Sequence, residues 1–237
     1  MRLNLGLVIV AALAVGCGSN VVGDTTSGSG STGTSGSTGG SGSTGESGPR
    51  PTYPASSGAV AKGAVFPNLT VTGYLAATSG MPIDQAAGSF AEFDMQKIRN
   101  LVDGNGQPYR YMLLDLSAGW CGPCNDEAES YGLNRDADSK AKIATWLSQG
   151  GLFVTVLVQD YSESSPSSPI QSDVDRWLGD HNVQSILAAD SSGRLSSTIS
   201  QSAFPANLII DLDSMKIVDA WYANDTGKVS EFESLLQ

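Results

Sequence analysis

Histidine is almost missing from this chain and cysteine is scarce: 237 residues hold one His and three Cys. Three cysteines are too few for a disulfide-stapled scaffold. A zinc site built on two of them would need two further N or S ligands, and only His181 and Cys17 remain to supply them. Basic residues are sparse too, with 13 Lys and Arg against 24 Asp and Glu and a net charge of −11. Such a surface argues against nucleic acid and against docking on anionic lipid. Long apolar runs are also lacking. The run from Leu5 to Val15 falls well short of the roughly 20 residues of a membrane-spanning helix.

What is present falls into three stretches. Arg2 followed by that short apolar run gives residues 1–16 the form of a secretion signal. It ends Leu13-Ala14-Val15-Gly16-Cys17-Gly18, which resembles a bacterial lipobox. The resemblance implies cleavage before Cys17 and a lipid on its sulfur. Gly18, where an Asp often retains such proteins at the inner membrane, favours the outer membrane. The expected location is therefore the bacterial cell envelope, lipid-anchored and facing the periplasm or the surface. Residues 17–58 read as the lipidated Cys and a tether, since every residue from Thr25 to Gly48 is Ser, Thr or Gly except Glu46. Such a segment cannot bury apolar surface, and its mean reach is roughly 35 Å. Residues 59–237 remain as one folded domain with a full core.

Two of the three cysteines fall in Trp120-Cys121-Gly122-Pro123-Cys124. The apolar stretch ahead, Tyr111 to Ser117, reads as a buried strand, and the stretch from residue 123 to 131 as a helix with acidic residues in its first turn. A strand, a turn and a helix opening on two cysteines is the layout of a dithiol–disulfide redox site. The thiolate is the reacting species. Cys121 would sit exposed at the helix start, where unpaired N–H groups and the helix dipole favour an anion. Cys124 would lie one turn further in, able to resolve a mixed disulfide on Cys121. Pro123 costs no hydrogen bond at a helix start, and Gly122 leaves the approach open. Half a zinc site and a purely structural disulfide are the bland alternatives. The first lacks ligands, and a bridge closing so short a loop restrains the unfolded chain little.

Further elements follow from periodicity and turn chemistry. Residues 65–74 read as a strand or hairpin and 90–98 as a short amphipathic helix. Residues 109–117 form a central strand, 139–148 a helix and 152–158 a second buried strand. A Ser/Pro-rich loop spans 161–170, and a helix capped by Ser172 covers 172–179. Residues 186–189 form a short strand, 207–211 and 216–221 a hairpin, and 226–236 a terminal helix capped by Asp225 or Thr226. Alternating strands and helices closed by a hairpin imply an α/β fold with a mixed sheet covered on both faces. His181 reads as a solvated residue at a helix C-terminus, and Trp146, Trp177 and Trp221 as packing residues.

From residue 65 to 237 the chain resembles the thioredoxin superfamily, most closely its membrane-tethered, exported branch typified by TlpA and ResA. The motif at residues 120–124 carries the resemblance. It implies a thioredoxin-like fold, with Cys121 attacking, Cys124 resolving, and Trp120, Gly122 and Pro123 supporting the motif. It also implies that Asp115, six residues before Cys121, is a buried proton shuttle for Cys124; a carboxyl in apolar surroundings has a raised pKa. Phe204-Pro205 stands where the family places a cis proline facing the dithiol. Phe204 replaces a usually smaller neighbour, making a narrower or more apolar substrate groove. Asn125-Asp126-Glu127 departs from the basic residue common after the second Cys, which disfavours the thiolate and points to a more reducing couple.

The expected activity is thiol–disulfide oxidoreduction, in the reducing direction, on disulfides of exported proteins. The redox-active Cys121–Cys124 pair serves without a further cofactor or metal. An electron donor is required, and the chain is expected to act as a monomer. Alternatives are a dithiol peroxidase, against which Ala118 stands in place of the peroxiredoxin Thr, and a non-catalytic metal- or client-binding module.

Overall fold

The computed structural model describes residues 50–56, 60–75, 89–131, 137–182, 185–199, 203–223 and 225–237. Cys17, the signal segment and nearly all of the tether lie outside the described residues. Strand β3 (Tyr111–Ala118) and strand β4 (Gly151–Gln159) run parallel at the heart of the molecule. Both are buried along nearly their whole length and mostly apolar, as strands covered on both faces must be, with Asp115, Ser117 and Thr155 the buried polar exceptions. Around them a seven-stranded sheet is ordered β2-β1-β5-β4-β3-β6-β7. It adds β1 (Thr70–Tyr74), β2 (Phe90–Asp94), β5 (Ile186–Ala189), β6 (Ala206–Asp211) and β7 (Ile217–Tyr222). β5 joins β4 in parallel, while β1, β2, β6 and β7 pair antiparallel.

Strand alternation sorts the core into two layers. Met112, Leu114 and Leu116 of β3 join one cluster, with Met95 and Ile98 of α1 (Met95–Arg99) and Leu195 of α5 (Arg194–Thr198). Leu113 faces the other way, into a cluster covered by α2 (Gly122–Tyr131), α3 (Ala137–Ser148), α4 (Gln171–His181) and α6 (Thr226–Leu236). This second layer holds Cys121 and Cys124. At its far end Tyr131, Trp146, Phe153 and Phe232 pack edge to face, with ring centroids 4.9–6.1 Å apart.

Several elements depart from the sequence expectations. Residues 90–94 are strand, not helix: β2 pairs with β1 (Val71 opposite Phe93), and Asp94 then caps α1 by accepting from the Lys97 N–H. The turn after β5 leads into α5, a short helix that periodicity did not mark. Ser172 lies inside α4; the cap is Ile170, whose N–H donates to the Asp173 carboxylate at 2.9 Å. Asp225 caps α6. Residues 50–56, on the tether side of the expected boundary, lie on the folded unit. Arg50 donates to the carbonyls of Arg99 and Tyr109, and the buried Arg99 donates to Pro51 O at 2.7 Å. Among the described residues no helix is long and apolar enough to cross a membrane.

Candidate active site

The end of β3 sets the site. Its register against β4 slips between Ser117 and Ala118, so that Ala118 lies opposite Gln159. Such a bulge re-aims the chain leaving a strand. The Cys121 N–H then donates back to Ala118 O at 3.0 Å, closing a tight turn through Gly119 and Trp120. Gly119 is required there, because a Cβ would come within 2.6 Å of the Tyr161 ring. The Trp120 indole N–H donates to Gln159 Oε1 at 2.9 Å, and its ring meets Phe204 edge-on at 6.1 Å.

Cys121 and Cys124 are joined by a disulfide, their Cα atoms 5.3 Å apart. α2 begins at Gly122, so the pair occupies the first turn, and the acidic residues expected there fall in the second. The Cys124 N–H points at Cys121 Sγ, 3.2 Å away. This is the donor geometry that favours a thiolate on Cys121 once the bond is reduced. Cys121 retains 3% exposure and Cys124 none, so the outward sulfur is far more enclosed than the sequence suggested. Gly122 and Pro123 are exposed, and a Cβ on Gly122 would meet nothing within 4 Å. The Phe204–Pro205 bond is cis. Pro205 is buried, and Phe204 packs partly buried against the cluster that contains both sulfurs.

On the dithiol's side of the sheet lies a polar island in the apolar layer. Asp115 is buried and accepts from Ser117 Oγ at 2.8 Å. It shares the dithiol's side of the sheet with Thr155 and Asn207, its partners across β4 and β6. Glu127 of α2 reaches into the same region and is 2% exposed, accepting from Asn207 Nδ2 at 3.0 Å. Burial pushes the Asp115 carboxyl well above the usual carboxylate range, against the opposing hydrogen bonds from Ser117 and Thr155. Burial raises Glu127 as well, and the charge of Asp115 adds to it, while the Asn207 bond works the other way. The ionisation of each acid bears on the other, so the two titrate as a pair.

The structure thus brings Trp120 and Phe204 together with Cys121 and Cys124, and places Asp115 on the same side of the sheet. It also corrects the reading of the acidic run after Cys124. Asp126 is exposed, but Glu127 is turned inward and belongs to the site. Helical spacing carried the signal: residues 124, 127, 128 and 131 share one face of α2, and all are buried. His181 is corrected too. It is buried, not solvated, with its ring 4.5 Å from Trp177 and its Nε2 2.8 Å from Asn125 Oδ1. Among the described residues no cluster of three or more His, Cys, Asp or Glu side chains is placed to hold a metal ion.

No protein-family model and no curated protein matches the chain. Solved structures do. One is described as a thiol:disulfide interchange protein DsbE from Chlorobium tepidum, at 15% identity and a TM-score of 0.50, covering 74% of this chain and 95% of that one. Another is the thioredoxin domain of a thiol-disulfide oxidoreductase from Bacteroides vulgatus, at 16% identity and 0.46, covering 73% and 99%. AhpC of Mycobacterium tuberculosis matches at 13% and 0.48, covering 76% and 99%. The first likeness establishes a thioredoxin-like fold for this chain.

Proposed function

We propose that this protein is a thiol–disulfide oxidoreductase that reduces disulfides of exported proteins. The observation that carries the proposal is the Cys121–Cys124 bridge at the start of α2, with Glu127 buried on the same helix face as Cys124 and Asp115 buried on the same side of the sheet, both of raised pKa. In the reduced protein the Cys121 thiolate, held by the Cys124 N–H, attacks one sulfur of a client disulfide. A mixed disulfide forms, and the first client thiolate leaves and takes a proton. Cys124 then gives its proton to a carboxylate of the Asp115–Glu127 pair and attacks Cys121 Sγ. The second client thiolate departs, and the Cys121–Cys124 bond is restored. Two electrons have passed to the client, and an external dithiol must return them. Trp120, Phe204 and Pro205 flank the dithiol and offer an apolar wall to the client chain.

The cell-envelope setting rests on the lipobox-like Leu13 to Gly18 and the Ser/Gly/Thr tether, which would hold the domain clear of a lipid surface. Dithiol-dependent reduction of a model protein disulfide tests the activity. The intact chain is expected to turn over and Cys121→Ser to be inert. Equal rates for the two would overturn the proposal. Membrane fractionation of Cys17→Ala tests the anchor, with release from the membrane expected.

A further inference from the structure

A lone histidine buried beside a dithiol calls for a physical account. The Asn125 side-chain amide donates through Nδ2 to the Cys121 carbonyl at 2.6 Å, and the Asn125 backbone N–H donates to the same oxygen at 3.1 Å. The amide oxygen therefore faces His181, whose Nε2 lies 2.8 Å away. An oxygen can only accept, so Nε2 carries the hydrogen. Nδ1 is then a bare acceptor, which agrees with its burial without a hydrogen-bond partner. Burial also lowers the His181 pKa, against the charges of Asp180 on α4 and Glu129 on α2 that would raise it. The ring is thus neutral at pH 7. Its edge rests on Trp177, and the C-terminal Asn182 of α4 takes a left-handed conformation (φ 49°) that ends the helix directly after it. The imidazole is fixed from behind by α4 and reaches α2 from outside that helix.

We propose that His181 is a positioning residue. Through Asn125 it pins the first turn of α2, and so sets how readily the Cys121 thiol ionises. This deepens the reading of Cys121 as the attacking sulfur and rests on it. The chain of contacts is continuous: His181 Nε2–H to Asn125 Oδ1, Asn125 Nδ2 to Cys121 O, and within the same turn Cys124 N–H to Cys121 Sγ. Loss of the imidazole donor frees the Asn125 amide to rotate, the carbonyl of Cys121 loses its second donor, and the Cys124 N–H drifts from the sulfur it stabilises. The thiolate is then less favoured, and the couple becomes more reducing.

The test uses the reduced full-length chain, with iodoacetamide capture followed at the Cys121 peptide by mass spectrometry across a pH series. His181→Phe keeps a ring against Trp177 but has no donor. Its capture profile should move to higher pH, and the rate near neutrality should fall roughly threefold to tenfold, the scale of one net hydrogen bond. The Cys121–Cys124 potential should become more negative in step. His181→Gln, whose amide nitrogen can reach the place of Nε2, should restore the profile. Asn125→Ala should reproduce the shift, and the double variant should shift no further than either single one. If His181→Phe fails to fold, Asn125→Ala decides alone. An unchanged profile in Asn125→Ala, or in a folded His181→Phe, overturns the proposal. Failure of the oxidoreductase reading would look different: the unaltered chain would reduce no protein disulfide, whatever the capture profiles.

Discussion

Two sulfurs one helical turn apart face different surroundings, and the proposed roles follow that difference. Cys121 keeps a trace of exposure and receives the Cys124 N–H, whereas Cys124 is fully enclosed and shares its helix face with the buried Glu127. An incoming disulfide therefore meets Cys121 first, and Cys124 can react only with what is already bound to its neighbour. Cys124→Ser should accordingly accumulate a mixed disulfide through Cys121, while Cys121→Ser should accumulate none. Mass spectrometry of adducts trapped at low pH reads both, and adducts on Cys124 alone would reverse the assignment. Phe204 and Trp120 belong to the same scale: their edge-to-face contact at 6.1 Å walls one side of the dithiol with apolar surface.

At the scale of elements, close approach between segments holds the dithiol loop in place. Gly119 lets the Tyr161 ring lie against the backbone that leads into Trp120, and Arg176 of α4 stacks on that ring from 3.8 Å. Gly119→Ala would drive a Cβ into the body of the ring, not its flexible tip. It should destabilise the fold by about 1–3 kcal/mol, the usual cost of overpacking. Denaturant midpoints should drop, and hydrogen exchange of the Gly119 N–H, bonded to Gln159 O at 3.1 Å, should quicken; a variant as stable as the parent would refute this account of the loop. Much at this scale was legible beforehand. The largely apolar stretches 109–117 and 152–158 announce the buried strands β3 and β4, and Pro123 and cysteine spacing announce the helix behind Cys121. β2 was not legible, because residues 90–98 show a helical period and only pairing with β1 makes the first half a strand. His181 and Asn207 were not legible either. Their meaning lies in partners 56 and 80 residues away, Asn125 and Glu127, which no local pattern reveals.

At the scale of the whole molecule, the buried acids tie stability to pH. Unfolded, Asp115 and Glu127 titrate near the ordinary carboxylate values of about 4. Folded, both hold their protons to higher pH, first because they are buried. Across that window the folded state binds more protons than the unfolded one, so stability is greatest below the unfolded values and falls as pH rises through the folded ones. Glu127→Gln removes one of the two acids and keeps an acceptor for Asn207. Above about pH 8 it should be more stable than the parent by about 1–3 kcal/mol, with the gap closing toward about pH 4. Urea titrations at several pH values would show this, and a gap that does not change with pH would contradict it. The same variant should slow resolution by Cys124, since one proton acceptor is gone.

The direction of electron flow is a property of the molecule as a whole, and the equilibrium reduction potential of the Cys121–Cys124 couple reads it directly. One N–H to Cys121 Sγ among the described residues, a fully enclosed Cys124 and two buried acids of raised pKa on the same side of the sheet leave the thiolate only modestly favoured over the disulfide. The expected potential, by exchange against a glutathione or dithiothreitol buffer, is near about −270 mV, as for thioredoxin. A value near about −120 mV, as for a strong oxidant, would contradict a reductase.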